Sequence, residues 1–260
     1  MKPVLQSLIL GSCLALTVGC SVTRTSNTFT LSADLPPDFA YVATVTYVPA
    51  QGQSCTLRKG DNMTPQFNRE WRTEYKPDAQ IEIRRTSKGC ELVVYRIELD
   101  INATYGKDRG DFGGGTARVA VRSELPGEFK GTFNAAGVSE FTGQCQWLFR
   151  TIGPKRYITK ILDCKKTDEQ GSLVRGHPFA AYTLDQLPGK TVRLKIKLAE
   201  EEIPYFGRSW LKTSGGWKPC IETKETFRCQ TPPTFTDFRM PDGRRCEVYP
   251  SCIENKEVTP

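Results

Sequence analysis

Ten cysteines and a single histidine, His177, are the side chains of this 260-residue sequence best equipped for chemistry. Thiolates with imidazoles build zinc sites at characteristic spacings, and a nucleophile needs a base beside it, for which this chain offers only His177 in an expected loop. No zinc spacing is present. No two cysteines stand as Cys-x-x-Cys, and His177, between Gly176 and Pro178, is remote in sequence from every cysteine. GxSxG and HExxH motifs are also absent. A glycosidase could use two carboxylates alone, but Asp and Glu are dispersed along the chain. Their densest run, Glu200, Glu201 and Glu202, reads as a solvated strand exit. The sequence therefore predicts no catalytic residue, no metal ligands, no cofactor and no enzymatic activity.

What remains for the thiols is to pair with one another. Setting Cys13 and Cys20 apart at the N-terminus leaves Cys55, Cys90, Cys145, Cys164, Cys220, Cys229, Cys246 and Cys252. An even set of eight predicts up to four disulfides in an oxidising compartment. One pair follows from register. Phe141, Gly143, Cys145, Trp147 and Phe149 alternate on one strand face, Gly153-Pro154-Lys155 is a turn, and Ile158, Leu162 and Cys164 share a face of the returning strand. Centring the turn between Pro154 and Lys155 sets Cys145 opposite Cys164 and Trp147 opposite Leu162. Directly opposed residues lie about 4.5 to 5.5 Å apart, within disulfide reach, and the closed loop contributes roughly 3 kcal/mol. Similar arithmetic pairs Cys220 with Cys229. Cys246 with Cys252 would close a small loop, leaving Cys55 for Cys90, and exchange among the last four cysteines stays open.

The elements that hold these residues read as strands, giving an all-β chain of antiparallel β-sandwich modules, two by the expected division. Residues 31–125 form the first module, 126–212 the second and 213–260 a cysteine-rich C-terminal segment. Strands are predicted at 40–48, 55–58, 81–85, 91–105, 116–123, 141–149, 156–164, 179–184 and 190–198 by their β-branched and alternating composition. In 91–105, Val93, Tyr95, Ile97, Leu99, Ile101 and Ala103 are expected on one apolar face. The glycine-rich stretch 106–115 is expected to turn the chain, so that its Arg109-Gly110-Asp111 and its Gly113-Gly114-Gly115 run are turn chemistry and carry no ligand. Arg193, Lys195 and Lys197 give the strand at 190–198 a basic outer face, read as a guard against edge pairing. Phe67, Trp71 and Tyr75, four residues apart, are read as a helical turn covering the core.

At the N-terminus, Lys2 precedes an apolar stretch, and Leu16-Thr17-Val18-Gly19-Cys20 resembles the lipobox of bacterial lipoproteins. The resemblance implies a signal peptide over 1–19, a lipidated Cys20, a tether over 20–30 and, from Ser21, anchorage on the periplasmic face of the outer membrane. Thr17 departs from the leucine usual there. The formal charge of +7 is scattered, whereas nucleic-acid binding needs clustered cations, so no nucleic-acid partner is expected.

A protein partner is expected instead, through the aromatic and arginine residues Tyr205, Phe206, Arg208, Trp210 and Trp217, types that dominate interface energetics. The competing reading is that Phe206 and Trp210 plug the open end of the core. The lipobox with Ser21, the cysteine-paired β body and the absence of catalytic motifs together resemble periplasmic immunity lipoproteins of Gram-negative bacteria paired with type VI secretion phospholipase effectors. That resemblance implies a protein that blocks a toxin's active site. A structural or envelope-maintenance lipoprotein and an uncharacterised envelope enzyme are the alternatives.

Overall fold

Alternating Val, Ile, Thr and aromatic residues produce strands almost throughout the computed structural model, which describes residues 26–57, 63–66, 75–221 and 228–252. The first seven strands are β1 (Thr28–Asp34), β2 (Phe39–Pro49), β3 (Met63–Gln66), β4 (Asp78–Glu82), β5 (Arg84–Ser87), β6 (Cys90–Thr104) and β7 (Phe112–Arg122). There follow β8 (Val138–Ile152), β9 (Tyr157–Lys166), β10 (Phe179–Thr183), β11 (Thr191–Leu198) and β12 (Ile203–Pro204). The C-terminal segment adds β13 (Trp210–Thr213), β14 (Gly216–Pro219), β15 (Phe238–Arg239), β16 (Arg245–Cys246) and β17 (Tyr249–Pro250). The signal peptide, Cys20, Phe67 and Trp71 lie outside the described residues.

The strands form a larger sheet in the order β16-β15-β9-β8-β11-β1-β4, with β12 also on β8, and a smaller one in the order β10-β7-β6-β2-β3, with β5 on β6. A third sheet, β13-β14-β17, belongs to the C-terminal segment. Phe29, Leu31, Trp147, Leu162, Val192 and Leu194 from the larger sheet share one apolar core with Tyr41, Val45, Ile97, Leu99 and Val119 from the smaller. All four expected disulfides are present: Cys55–Cys90, Cys145–Cys164, Cys220–Cys229 and Cys246–Cys252. In the β8–β9 hairpin Cys145 faces Cys164 and Trp147 faces Leu162, the register expected from the turn.

Several expectations are corrected. The sheets are mixed rather than antiparallel: β1 and β8 flank β11 in parallel, and β10 runs parallel to β7. Parallel pairs need long crossovers, so the chain leaves the smaller sheet after β7, builds β8 and β9 in the larger, and returns as β10. β1 and β4 likewise join the larger sheet, and the expected boundary at 125/126 is not a boundary between sheets. β1 occupies the end of the expected tether, because Phe29, Leu31 and Ala33 alternate within a Ser/Thr-rich stretch and are buried. β11 lies between β1 and β8, so its basic residues line a sheet face and guard no edge. Residues 55–57 form no strand.

Two corrections concern the β6–β7 hairpin. Thr46 pairs with Arg96 but Tyr47 with Val94, so Tyr95 is the extra residue of a bulge. The bulge inverts the alternation: Leu92 and Val94 face the core before it, and Ile97, Leu99 and Ile101 after it. Arg122 covers the irregularity, donating to the Tyr95 carbonyl at 2.9 Å with its guanidinium 3.9 Å from the Tyr95 ring centroid. The glycine run, expected in the turn, is in β7. A Cβ on Gly113 would lie 2.5 Å from the Trp147 ring and 2.9 Å from the Leu162 backbone nitrogen, and one on Gly115 would collide with Cys164 Sγ. Glycine is needed there because the backbone of β7 lies directly on the β8–β9 hairpin.

Gly114 points the other way, its nearest neighbour to a Cβ being Ile101 O at 3.7 Å. Gly113→Ala should therefore lose about 1–3 kcal/mol of stability by overpacking, while Gly114→Ala stays within about 0.5 kcal/mol of the parent. Urea unfolding measures both, and equal effects would contradict this packing.

Candidate functional site

The β8–β9 hairpin extends beyond the main core, and its outer end needs separate cover. Phe149 and Ile158 form a second core with Trp210, Phe238, Cys246 and Tyr249 from the C-terminal segment. Phe149 is its centre, with ring centroids 4.9 Å from Trp210 in an edge-to-face contact and 4.1 Å from Tyr249. Trp210, only 4% exposed, is thus a plug of this core and not a surface contact. Trp217 is half-buried against the same cluster. Aromatic content alone could not separate the two roles.

Tyr205, Phe206 and Arg208 are brought together on an exposed loop. β12 lies parallel to β8, pairing Ile203 with Leu148 and Pro204 with Phe149. The Tyr205 amide then donates to Phe149 O at 2.8 Å, Ser209 N to Phe206 O at 3.0 Å, and Cys229 N to Arg208 O at 2.8 Å. Cys220, bonded to Cys229, donates its amide to Ser209 O at 2.9 Å. The loop backbone is thereby fixed at both ends while Tyr205 and Phe206 stay 46% and 54% exposed, edge to face at 4.7 Å. Arg150 of β8 places its guanidinium 5.7 Å from the Tyr205 centroid. Alternation places Leu148 opposite the inward Phe149, so Ile161, Leu148 and Ile203 make an apolar row on the outer sheet face beside this loop.

Below β12 lies a cleft of about 880 Å³ between the two cores. Lys160 shares the inward parity of Ile158, Leu162 and Cys164, and its ammonium donates to Glu202 Oε1 at 2.6 Å. The Tyr249 hydroxyl donates to Glu202 Oε2. Burial first, and then the Glu202 carboxylate, raise the Tyr249 pKa far above the ordinary phenol value, keeping it a donor. Higher in the cleft, Lys212 bonds Glu201 at 2.6 Å with its ammonium 5.5 Å from the Trp217 centroid. These groups hold and display charge. Both carboxylate oxygens of Glu202 are engaged. Glu202, expected within a solvated run, is half-buried and bonded at both oxygens; Lys160 went unnoticed, although one charged residue at an inward position of an apolar strand face was a usable signal.

His177 is exposed, its Nδ1 3.3 Å from Cys164 O. No cluster of three or more His, Cys, Asp or Glu residues suited to a metal occurs among the described residues. Compared with protein-family models, curated proteins and solved structures, the chain finds no match.

Burial raises the phenols of Tyr41, Tyr47, Tyr182 and Tyr249 above their ordinary value of 10.0, and that of Tyr75 is pushed up to about 12. A raised folded-state pKa means this stabilisation is complete below the unfolded value and is lost as pH climbs toward the folded ones. The urea midpoint should therefore hold from neutral pH to about 10 and fall above it, with a shallower fall in Tyr249→Phe. A midpoint flat to about pH 12 would contradict the burial of these hydroxyls.

Proposed function

We propose that this chain is a lipid-anchored envelope protein that acts by binding another protein, and specifically an immunity protein that blocks the active site of a phospholipase-type toxin delivered to the periplasm. The observation that carries this reading is the loop at Tyr205, Phe206 and Arg208. It exposes two aromatic rings and an arginine on a backbone hydrogen-bonded at both ends. Exposed large apolar side chains cost solubility, and a backbone already fixed loses little entropy on association. Tyr and Arg are also the residue types on which interface affinity concentrates.

Four disulfides agree with an oxidising compartment, and the lipobox resemblance around Cys20 supplies the anchor. The rings of Tyr205 and Phe206, with the outer row of Ile161, Leu148 and Ile203, would fill the toxin's lipid-binding cleft. Such a cleft is apolar by necessity, since it receives acyl chains, and an aromatic protrusion matches it chemically.

Deleting the gene should make cells sensitive to toxin-delivering siblings, and the parent gene should restore protection. The double variant Tyr205→Ala, Phe206→Ala should melt with the parent yet lose about 2 kcal/mol of partner affinity, roughly 30-fold, and with it most of the protection. Undiminished protection by that variant, or a deletion strain indifferent to every sibling toxin, would overturn the reading.

A further inference from the structure

The cleft below β12 has a chemistry of its own. Its walls are apolar and aromatic, formed by Ile158, Met240, Pro241 and Trp217, and its charged groups come from Lys160, Lys212 and the run Glu200, Glu201 and Glu202. Three carboxylates face two ammonium groups, so the lining carries a net charge of −1 within a chain of formal charge +7. The two ion pairs differ. Lys160–Glu202 is half-buried and tied to Tyr249, and it forms part of the floor. Lys212–Glu201 is open, its side chains 60% and 52% exposed. Glu200 makes no ion pair among the described residues.

Lys212 is placed where a bound cation would be placed. Its ammonium touches one carboxylate and lies 5.5 Å over an indole, the two contacts by which proteins hold lysine and arginine heads. Exposed ion pairs of this kind contribute about 0–1 kcal/mol, so Lys212 can be displaced. We propose that this cleft is a receptor for one basic side chain, Lys or Arg, of the protein partner, with Lys212 as the internal group that side chain replaces. The incoming stem lies along Met240 and Pro241, its head reaches Trp217 and Glu201, and Glu200 supplies the second carboxylate. This inference rests on the partner-binding reading, and it makes the chain's recognition two-part: an aromatic protrusion offered and a cation accepted. The two parts are neighbours in sequence, since the glutamate run leads through β12 directly into Tyr205.

The test needs no toxin. The disulfide-bonded protein is titrated with Nα-acetyl-arginine amide, Nα-acetyl-lysine amide and, as a control, Nα-acetyl-glutamate amide, following the Trp217 indole N–H resonance. Both cationic amides should shift it saturably with a Kd of about 1–10 mM, and the anionic amide should not. Lys212→Met should tighten binding several-fold by removing the competitor, and Glu201→Gln should weaken it at least fivefold. Both residues are exposed, and unchanged remaining indole resonances verify the fold. Absence of any shift up to about 50 mM, an equal shift with the glutamate amide, or unaltered affinity in Lys212→Met would each overturn the receptor. Should those outcomes occur while loss of Tyr205 and Phe206 still abolishes protection, the receptor falls and the partner-binding reading stands.

Discussion

The close approach of the β7 backbone to the Cys145–Cys164 disulfide is the constraint on which the rest of this structure depends. Two sheets can approach this closely at a cross-strand disulfide and a tryptophan only if the facing strand has no side chains there, and Gly113 and Gly115 meet that condition. The consequence is that the β8–β9 hairpin serves two cores at once. Trp147, Leu162 and the disulfide belong to the main core, and Phe149 and Ile158, further out on the same face, belong to the second. The hairpin turn is itself tied to the C-terminal segment, for Arg156 Nε donates to Asp237 O at 2.9 Å and Arg239 N donates to Arg156 O at 2.9 Å.

The second core is small, and small cores are where disulfides matter most. Cys220–Cys229 and Cys246–Cys252 close loops with sequence separations of 9 and 6, which restrict the C-terminal segment before it packs. Phe149 then acts as the hub around which Trp210, Trp217 and Tyr249 assemble. A functional consequence follows from this geometry. The same β8 strand that seats Phe149 inward offers its Phe149 carbonyl to the Tyr205 amide, so core packing and display of the exposed loop are coupled through one residue. Lys160 interrupts the apolar face between the cores, and with its partners Glu202 and Tyr249 it lines the cleft there.

What was legible in the sequence was local. The β8–β9 register followed from alternation plus a Gly-Pro turn, because antiparallel neighbours joined by a short loop leave little freedom. Parallel pairing leaves no such mark: β11 reads as a lysine-lined strand whether it stands at an edge or between β1 and β8. The Tyr95 bulge was hidden for a related reason, since Val93 and Val94 are both apolar and either could have been the inward residue. Phe29 and Leu31 did alternate, but a Ser/Thr-rich setting masked them. Of the five aromatic and arginine residues singled out, the exposed Tyr205, Phe206 and Arg208 fall on one loop, Trp217 on the cleft and Trp210 in the core. Residue type records how much area a side chain can bury and not which surface buries it.

The central claim is that the loop at residues 205–208 is built before any partner arrives, held by β8 on one side and the Cys220–Cys229 loop on the other. Native-state amide hydrogen exchange of the free, oxidised protein tests it most directly, by following the Tyr205 and Cys229 amides against those of β8. The account predicts that both are protected together with Gln146 and Leu148, whose amides face β9, opening only with the hairpin. Exchange at Tyr205 and Cys229 as fast as in an unstructured chain, with β8 still protected, would contradict it.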